Sequence, residues 1–313
     1  MSLRIGLIGY GAWGKHHAQS IMKIEGTELV AVSGSSEATL ATAREETGAP
    51  TYADYRELLK QPDVDAVDIV VPPHLHAEIA IAALEAGKHV LLEKPMGVSV
   101  AQCDEIIAAA ERAGRMLALV HELRYSPLFG GIRNLLADGA IGEPLYGVFD
   151  LWRRPYRHGA RGWRFDPERV GSWILEEPVH VIDLATWYLE GFGKVETVYA
   201  TGNSIAGDDR GLYDNFAATL GFSNKGFVMP SPHAPGSPNP SFEATLFDGN
   251  EKRSIDLGSS VGEVHELRRQ IEAFAESVAA GKAPEVDGKA GREAARLCLA
   301  AEQSIRTGAV QRV

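Results

Sequence analysis

The sequence predicts an α/β protein of two domains. Residues 1–122 are expected to form a doubly wound parallel sheet, and residues 123–313 an α+β domain with a mainly antiparallel open sheet. Strand-like and helix-like segments alternate with short links up to about Val120, which is typical of a parallel sheet covered on both faces. After about Tyr125, strand-like segments follow one another without intervening helices, which is typical of antiparallel pairing. With 313 residues, 45% of them hydrophobic, the chain can bury two cores.

Periodicity and breaker residues assign the individual elements. In the first domain the predicted strands are 4–8, 28–33, 66–71, 88–92 and 117–120, and the predicted helices are 12–23, 37–47, 53–59, 75–86 and 99–113. In the second domain the predicted strands are 144–152, 194–204, 213–222, 226–229, 242–247 and 253–257, with helices near 127–138, 264–280 and 288–307. Five prolines between positions 230 and 240 exclude a central strand there, so a loop at an edge or a subunit contact is expected.

A glycine motif, Gly9-Tyr10-Gly11-Ala12-Trp13-Gly14, follows the first strand and opens the first helix. Gly9 permits the tight turn, Gly11 lets the backbone approach a pyrophosphate, and Gly14 lets the helix pack closely on the sheet. The strand before the motif, the helix after it and the strand at 28–32 complete a βαβ unit, which is the context this motif requires. The pattern predicts a dinucleotide site, the alternative being a glycine-rich turn in an unrelated sheet.

The end of the second strand bears on the choice between NAD and NADP. An acid there usually binds the ribose 2′-hydroxyl of NAD, but this chain has Ser33-Gly34-Ser35-Ser36. No carboxylate in this segment would repel a 2′-phosphate, and three hydroxyls could donate to one, although the next arginine is Arg44. We therefore expect NAD(P) as cofactor, with NADP slightly favoured.

Two other segments end strands of the same predicted sheet. Val71-Pro72-Pro73-His74-Leu75-His76 joins a strand to a helix, and Glu93-Lys94-Pro95 follows the strand at 88–92. Because ligands of open α/β sheets lie beyond the carboxyl ends of the strands, these segments are expected to form two sides of one cleft. A lysine there could stabilise a developing alkoxide or transfer a proton. An isolated Glu-Lys pair would otherwise be read as surface charge at a turn.

Glu176 and His180 are four residues apart, so on a helix they would share one face. A carboxylate beside an imidazole raises its pKa and fixes its tautomer, which suits a proton acceptor near neutral pH. An isolated histidine in an apolar segment is more often a core residue, but the presence of Lys94 favours the catalytic interpretation. Asp183 could hold the other ring nitrogen or cap a turn.

The segment 152–165 carries five arginines and no acid, within a chain of net charge −11. Two interpretations stay open. The segment could be a surface engaged in subunit contacts, or a substrate wall in which aromatic rings stack on a sugar ring and arginines bind hydroxyls or an anionic group.

The overall charge and the cysteines exclude several classes of protein. The 31 basic and 42 acidic residues argue against a nucleic-acid or membrane-surface partner. Cys103 and Cys298 lie in helix-like apolar patterns, which indicates core residues of a reducing compartment rather than a disulfide or metal pair, and no metal site is suggested. The first strand begins almost at Met1 and no apolar run approaches the roughly 20 residues that span a bilayer, so a cytoplasmic protein without a signal peptide is expected.

Taken together, these motifs resemble the Gfo/Idh/MocA oxidoreductases, named for glucose-fructose oxidoreductase and inositol dehydrogenase, over nearly the whole chain. Besides the glycine motif, the segments that carry the resemblance are Pro72-Pro73 with His76, Ala86-Gly87-Lys88-His89-Val90, Glu93-Lys94-Pro95, Arg124-Tyr125-Ser126-Pro127, Gly139 to Pro144, Trp163 to Pro167 and His180 to Asp183. The resemblance implies a Rossmann domain, a second domain whose open sheet makes oligomer contacts, and NAD(P)-dependent oxidation or reduction of sugars, cyclitols and related polyols.

The resemblance also implies roles for individual residues. Lys94 and His180 match the catalytic positions, and Glu176 stands where an aspartate is usual. The residues expected at the cofactor are Gly9, Gly11, Ala12, Trp13, Gly14, Ser33, Gly34, Ser35, Pro72, Pro73, His76, Glu93 and Lys94. The residues expected at the substrate are Lys94, Glu122, Arg124, Arg153, Trp163 and Asp183.

Three departures from the family pattern predict an unusual substrate pocket. Glu176-Glu177-Pro178-Val179-His180 replaces the usual aspartate and glycine, and Pro178 removes an amide and fixes φ. Gly171-Ser172-Trp173 replaces a glycine cluster and would narrow the space with an indole. Glu122 replaces an asparagine.

The predicted reaction is hydride transfer between a nicotinamide cofactor and a CH–OH group of a sugar, cyclitol or related polyol. His180, supported by Glu176, would take the hydroxyl proton while Lys94 stabilises the alkoxide. One alternative is a glycosidase that oxidises its sugar transiently, eliminates the aglycone and reduces the ring again. Another is a non-catalytic cofactor-binding regulator, which the filled lysine and histidine positions disfavour. A homodimer or homotetramer formed through the C-terminal sheet is expected.

Overall fold

The computed structural model describes residues 2–139, 146–152, 160–191, 193–204, 212–213, 215–233, 241–247, 252–259 and 266–313. Within this part of the chain the fold divides into two compact units. The first comprises Met1–Glu122 and Val264–Arg292, and the second comprises Leu123–Glu263 and Glu293–Val313.

The first unit is built on a parallel sheet, as the alternating sequence pattern predicts. Its strands are β1 (Leu3–Ile8), β2 (Thr27–Ser33), β3 (Thr51–Tyr52), β4 (Ala66–Ile69), β5 (His89–Glu93) and β6 (Leu117–Val120). Its helices up to this point are α1 (Ala12–Ile21), α2 (Glu37–Thr47), α3 (Tyr55–Leu59), α4 (His76–Glu85) and α5 (Val100–Ala113). The strand order β3-β2-β1-β4-β5-β6 is that of a doubly wound dinucleotide fold, so the predicted fold class is confirmed. The two-residue strand β3 was not predicted.

Local capping explains where several of these helices begin. The hydroxyls of Ser36 and Ser99 accept the backbone N–H groups of Thr39 and Gln102, at the starts of α2 and α5. These contacts satisfy amides that have no partner within their own helix, and such caps stabilise a helix by about 1 kcal/mol. The predicted boundaries of α2 and α5 therefore agree closely with the structure.

The second unit contains a sheet that is open to solvent on one face. Of the elements that follow β6, α10 belongs to the first unit, α11 begins in the first unit and continues in the second, and the others belong to the second. These elements are α6 (Pro127–Ala137), β7 (Tyr146–Trp152), α7 (Pro167–Val170), α8 (Trp173–Glu176), α9 (Val179–Tyr188), β8 (Val195–Asn203), β9 (Asn215–Phe222), β10 (Phe227–His233), β11 (Ser241–Phe247), β12 (Lys252–Ser259), α10 (Leu267–Ala280), α11 (Gly288–Thr307) and β13 (Gln311–Arg312). The sheet has the order β13-β8-β9-β10-β7, and β11 pairs with β12 separately. Its pairings are antiparallel except for β10 with β7, which confirms a mainly antiparallel sheet.

The sequence assigns all of 123–313 to the second domain, whereas the structure groups Val264–Arg292 with the first unit. The reason is the apolar face of α10. Leu267, Ile271 and Phe274 are buried in one cluster with residues of the first sheet, such as Ile5 and Leu91. Burial of this face stabilises α10 on the first unit, although α10 follows the second domain in the sequence.

The prediction that no helices lie between β7 and β8 is wrong. The structure has α7, α8 and α9 there, because the segment carries helix-start signals that outweigh its strand-like apolar runs. Asp166 and Ser172 accept the backbone N–H groups of Glu168 and Leu175, and Pro178 precedes α9 with φ −64°, which suits the start of a helix.

The proline-rich segment also differs from expectation. Pro230 and Pro232 lie within β10, which stands between β9 and β7, whereas residues 234–240 lie outside the described part of the chain. β10 pairs with β9 at Phe227 and Val228, and it pairs with β7 from Phe227 to His233. The prolines thus occupy a stretch that is paired on one side, where a missing N–H is tolerated.

Cys103 and Cys298 are both buried, as expected of core residues. Among the residues that the structure describes, no helix is long and apolar enough to cross a membrane.

Candidate active site

The carboxyl ends of the parallel strands form one edge of the first sheet. Ile8 at the end of β1 pairs with Ser33 of β2 and with Ile69 of β4, and Ile69 pairs with Leu92 of β5. Glu93 in turn pairs with Val120 of β6. This register brings the segments that follow these strands to the same edge, where open α/β sheets bind ligands.

The glycine turn after β1 has a geometry that only glycine permits at two positions. Gly9 has φ +107°, and a Cβ on it would lie 2.1 Å from the carbonyl oxygen of Val70. A Cβ on Gly14 would lie 2.1 Å from the carbonyl oxygen of Gly9, so α1 approaches the turn at backbone distance. Both glycines therefore have the roles that the motif predicts.

The start of α1 is shaped to receive a phosphate. A Cβ on Gly11 would meet no described atom within 4 Å, so the space beside this residue is open. The N-cap residue, Gly11, has no side chain to cap α1, and the first turn of α1 has no acidic residue. The amides of Ala12 and Trp13 therefore carry the positive end of the helix, which favours an anion. This arrangement fits the pyrophosphate of a dinucleotide.

The segment after β2 carries the hydroxyls that bear on cofactor choice. The Ser36 hydroxyl is engaged as the cap of α2, whereas the Ser35 side chain is exposed. A Cβ on Gly34 would lie 3.3 Å from a terminal carbon of Leu40 and 3.4 Å from one of Thr39. Both contacts are tight, so the Leu40 and Thr39 side chains must shift by a few tenths of an ångström when a larger residue stands at position 34.

His76 connects the segments that follow β4 and β5. Its ring nitrogens lie 2.8 Å from the carbonyl oxygen of Val71 and 2.7 Å from that of Pro95, and the residue is fully buried. Pro72 and Pro73 lead into the short 3-10 turn before α4. The two segments predicted to flank one cleft are thus joined within the first unit.

The Glu93 carboxylate is held by three donors. One oxygen, Oε1, accepts a hydrogen bond from the Trp13 indole at 2.7 Å and lies 3.1 Å from Nε2 of His17. The other, Oε2, accepts the backbone N–H of Lys94 at 3.0 Å. Although burial opposes ionisation, the His17 contact lowers the pKa of Glu93. Glu93 therefore carries a negative charge that holds the Lys94 backbone, while the Lys94 side chain is half-buried.

Glu122 follows β6 at the same edge and is buried. Its burial, followed by the charge of Glu93, raises the pKa of Glu122 to about 8, against the opposing effect of Lys94. At neutral pH the Glu122 carboxyl is therefore mostly protonated, and in that form it can donate a hydrogen bond, as the amide of an asparagine would.

In the second unit, Arg124 and Asp183 bind each other. The Arg124 Nε and Nη2 atoms donate to the two Asp183 oxygens at 2.8 and 2.6 Å, in a pair that is almost completely buried. Arg124 also lies over the Trp187 ring, 5.4 Å from its centre. Such a bidentate pair fixes both side chains. A direct role for either in substrate binding stays a prediction.

Glu176 and His180 lie on different helices. Glu176 is the last residue of α8 and His180 lies in the first turn of α9, because Pro178 lacks the N–H that a continuous helix requires. The premise that they share one helical face is therefore wrong. The Glu176 carboxylate accepts a hydrogen bond from Arg164 Nε at 2.6 Å, and His180 is half-buried. Support of His180 by Glu176 stays a prediction.

Three further residues were predicted to line the substrate site, namely Trp163, Arg153 and Trp173. The Arg164 guanidinium lies 4.6 Å from the centre of the Trp163 ring, so this part of the arginine-rich segment stacks on itself. Arg153 lies outside the described residues. The prediction that Trp173 narrows the substrate space is wrong, because this indole is buried edge-on against Phe216 in the core.

Comparison with known proteins agrees with this geometry. Residues 3–121 match the profile described as "Oxidoreductase family, NAD-binding Rossmann fold", and residues 129–244 match that of the "GFO/IDH/MocA C-terminal domain". The chain belongs to the Gfo/Idh/MocA family.

Relatives of this Gfo/Idh/MocA protein include two named enzymes. A 1,5-anhydro-D-fructose reductase from Ensifer adhaerens is 35% identical over 189 residues, which are 59% of this chain and 56% of the relative. An inositol 2-dehydrogenase from Salmonella typhimurium is 32% identical over 205 residues, 64% of this chain and 58% of the relative. The chain thus spans little more than half the length of these relatives. The crystal structure of myo-inositol 2-dehydrogenase from Lactobacillus plantarum superposes over 100% of both chains with a TM-score of 0.89 at 24% identity, which shows a common fold.

Two site residues of the Gfo/Idh/MocA chain were missed by the sequence reasoning. His17 is fully buried on α1 with Gly14, Ala18 and Ile21, and its Nδ1 lies 2.7 Å from Asp68 of β4. The sequence did contain a signal for both residues. His17 lies among apolar positions of a predicted helix, and Asp68 lies within an apolar predicted strand. Charged residues in core positions are normally paired, so each predicted a partner.

Within the described residues, no group of three histidine, cysteine or carboxylate side chains could hold a metal ion.

Proposed function

We propose that this protein is an NAD(P)-dependent oxidoreductase that transfers a hydride between the nicotinamide and a CH–OH group of a sugar, cyclitol or related polyol. One observation supports this proposal most directly. The glycine turn, which can bind a phosphate, and the Glu93-Lys94 segment lie at the same edge of the first sheet. The two named relatives act, by their names, on an anhydro sugar and a cyclitol, which supports this substrate class.

The residues of this chain would divide the chemistry among them. When bound, the nicotinamide supplies or accepts the hydride. Lys94 carries the ammonium that stabilises negative charge on the reacting oxygen, and His180 accepts the hydroxyl proton in oxidation and returns it in reduction. Glu122, as a neutral acid beside Lys94, would donate a hydrogen bond to a substrate oxygen.

A substrate panel tests this proposal. Polyols, inositols, aldoses and anhydrosugars are each incubated with NAD or NADP, and with the reduced cofactors for the ketone forms, while nicotinamide absorbance is followed. A change that depends on both cofactor and substrate supports the dehydrogenase. Glycoside cleavage with retained cofactor and no net absorbance change would instead indicate the glycosidase. Cofactor binding without turnover of any compound would indicate the regulator.

We propose NADP over NAD as the preferred cofactor, on the basis of the serines after β2 and the lack of a carboxylate at positions 33–36. We expect Gly34→Asp to shift the ratio of catalytic efficiencies toward NAD by about tenfold or more, because a carboxylate there accepts the 2′-hydroxyl and repels a 2′-phosphate. Initial rates with each cofactor measure the ratio. Ala41→Asp, on an exposed position of α2, is the matched control for added charge. An unchanged ratio in Gly34→Asp would contradict this placement of the ribose.

We also propose that the open face of the second sheet joins copies of this chain. Tyr146, Val148 and Tyr199 project there with 55%, 51% and 45% of their surface exposed, while Val198, Ala200 and Leu220, which alternate with this face, are buried. Large apolar side chains exposed on one face of a sheet favour association.

We expect the double variant Val148→Lys with Tyr199→Lys to lower the oligomeric state, because lysines place like charges on both halves of a self-complementary contact. Light scattering during size-exclusion chromatography measures the mass. Met22→Lys, which changes another exposed apolar side chain in the first unit, should leave the mass unaltered. A wild-type monomer, or an unaltered mass in the double variant, would rule out this surface.

A further inference from the structure

The first unit contains a buried chain of polar side chains that connects the phosphate-binding turn with the lysine segment. Asp68, His17 and Glu93 follow one another at 2.7 and 3.1 Å, and the side chains are 1%, 0% and 7% exposed. Beyond Glu93 the chain divides. One branch reaches the Trp13 indole in the first turn of α1, and the other reaches the backbone N–H of Lys94.

The hydrogen bond from His17 to Glu93 is present in both protonation states of the Asp68–His17 pair. Burial disfavours a charged ring, but the Asp68 carboxylate, followed by Glu93, raises the pKa of His17 well above its usual range. Burial also raises the pKa of Asp68, so the proton between these two groups can lie on either of them. In both arrangements the His17 Nε2 atom keeps its hydrogen and donates it to Glu93. The donor to Glu93 is therefore present whichever group holds the shared proton.

We propose that His17 is a positioning residue that couples the phosphate-facing end of α1 to Lys94 through the Glu93 carboxylate. This inference rests on the proposed function of Lys94. His17 touches neither reacting group. It orients the Glu93 carboxylate. That carboxylate accepts hydrogen bonds from the backbone N–H of Lys94 and from the indole of Trp13, which lies within the glycine motif. A shift of Glu93 would therefore move the lysine and the phosphate site together, and displacements of about 1 Å can cost a hundredfold in rate.

Two substitutions distinguish the contact of His17 Nδ1 with Asp68 from the contact of His17 Nε2 with Glu93. The amide nitrogen of glutamine lies as many bonds from Cα as Nε2 does, so His17→Gln keeps a donor to Glu93 and loses the contact with Asp68. The amide of asparagine corresponds to Nδ1, so His17→Asn keeps a partner for Asp68 and loses the donor to Glu93. The neighbouring His16 is exposed, and His16→Gln and His16→Asn are the matched controls.

The primary measurement is hydrogen exchange of individual amides by NMR, which requires neither cofactor nor substrate. In His17→Asn we expect the Lys94 amide to exchange about tenfold faster than in the wild type, relative to the Leu91 amide within β5, because its acceptor is no longer held. In His17→Gln that ratio should remain near the wild-type value. A role confined to stability would speed exchange of both amides equally in both variants.

The second measurement is turnover of the folded protein. We expect kcat to fall roughly 10- to 100-fold in His17→Asn and much less in His17→Gln. Equal Lys94 exchange ratios in the two variants, or equal kcat values, would overturn the inference. If the wild type turns over no substrate, the proposed function fails, whereas the exchange ratio still tests the His17 link. If His17→Asn does not fold, Glu93→Gln tests the same link, and a wild-type exchange ratio at Lys94 in that variant would also overturn it.

Discussion

Replacing Lys94 with alanine is expected to lower turnover by roughly a hundredfold or more, because groups that stabilise charge or transfer protons at the reacting atoms contribute that much. Lys94 follows β5 at the carboxyl edge of the sheet, and its backbone is held by a buried, ionised Glu93. That support keeps the position of the lysine well defined. Steady-state kinetics with the best substrate of the panel measure kcat, and calorimetric titration measures cofactor affinity, which should stay nearly the same.

Lys60→Ala is the control for this experiment. Lys60 is an exposed residue that pairs with Glu57 on the surface of the first unit, so its loss removes an equal charge away from the site. Surface pairs of this kind contribute little to stability. Near-normal turnover in Lys94→Ala would remove the lysine from the catalytic assignment.

His180→Ala is expected to reduce turnover by about a hundredfold, since a positioned general base contributes on that scale. The more informative measurement is the combination with Glu176→Gln, which keeps the shape of the side chain but removes its charge. If Glu176 acts through the imidazole, Glu176→Gln lowers kcat in the wild type and has little further effect in His180→Ala.

The observed pairing of Glu176 with Arg164 supplies the competing outcome. If Glu176 serves only to hold Arg164, the losses from the two substitutions multiply in the double variant. Glu190→Gln provides the control, because Glu190 forms a comparable but exposed pair with Arg133 in the same unit. Its loss should leave kcat unchanged in both backgrounds. If the losses multiply, Glu176 positions Arg164 rather than His180.

The features that the sequence predicted correctly depend on short stretches of chain. The glycine turn is one example, since Gly9 and Gly14 are required by a left-handed φ and by a close backbone approach within the same βαβ unit. The start of α5 is another, because Ser99 caps an amide three residues away. The alternation of strand-like and helix-like segments also predicted a doubly wound parallel sheet, because a helix between two strands carries the chain back to start the next strand in the same direction.

The errors arose where a residue's environment depends on distant parts of the chain. The spacing of Glu176 and His180 indicated a shared helical face, but Pro178 divides the helix and Arg164 occupies the carboxylate. The prolines of β10 excluded a central strand by rule, yet the strand is paired on one side at those positions. For Trp173, an indole expected in a pocket is buried in the core, and no local pattern distinguishes the two environments.

The sequence was sufficient to establish the family, the doubly wound fold and the position of Lys94 at a strand end, because each follows from residue types at fixed short spacings. The partners of the buried charges became known only from the folded chain. His17, Asp68 and Glu93 are separated by tens of residues, and they meet because three neighbouring elements, α1, β4 and β5, pack together. A buried charge requires a partner, but which charge meets which is determined by strand order and helix packing, and those are properties of the whole fold.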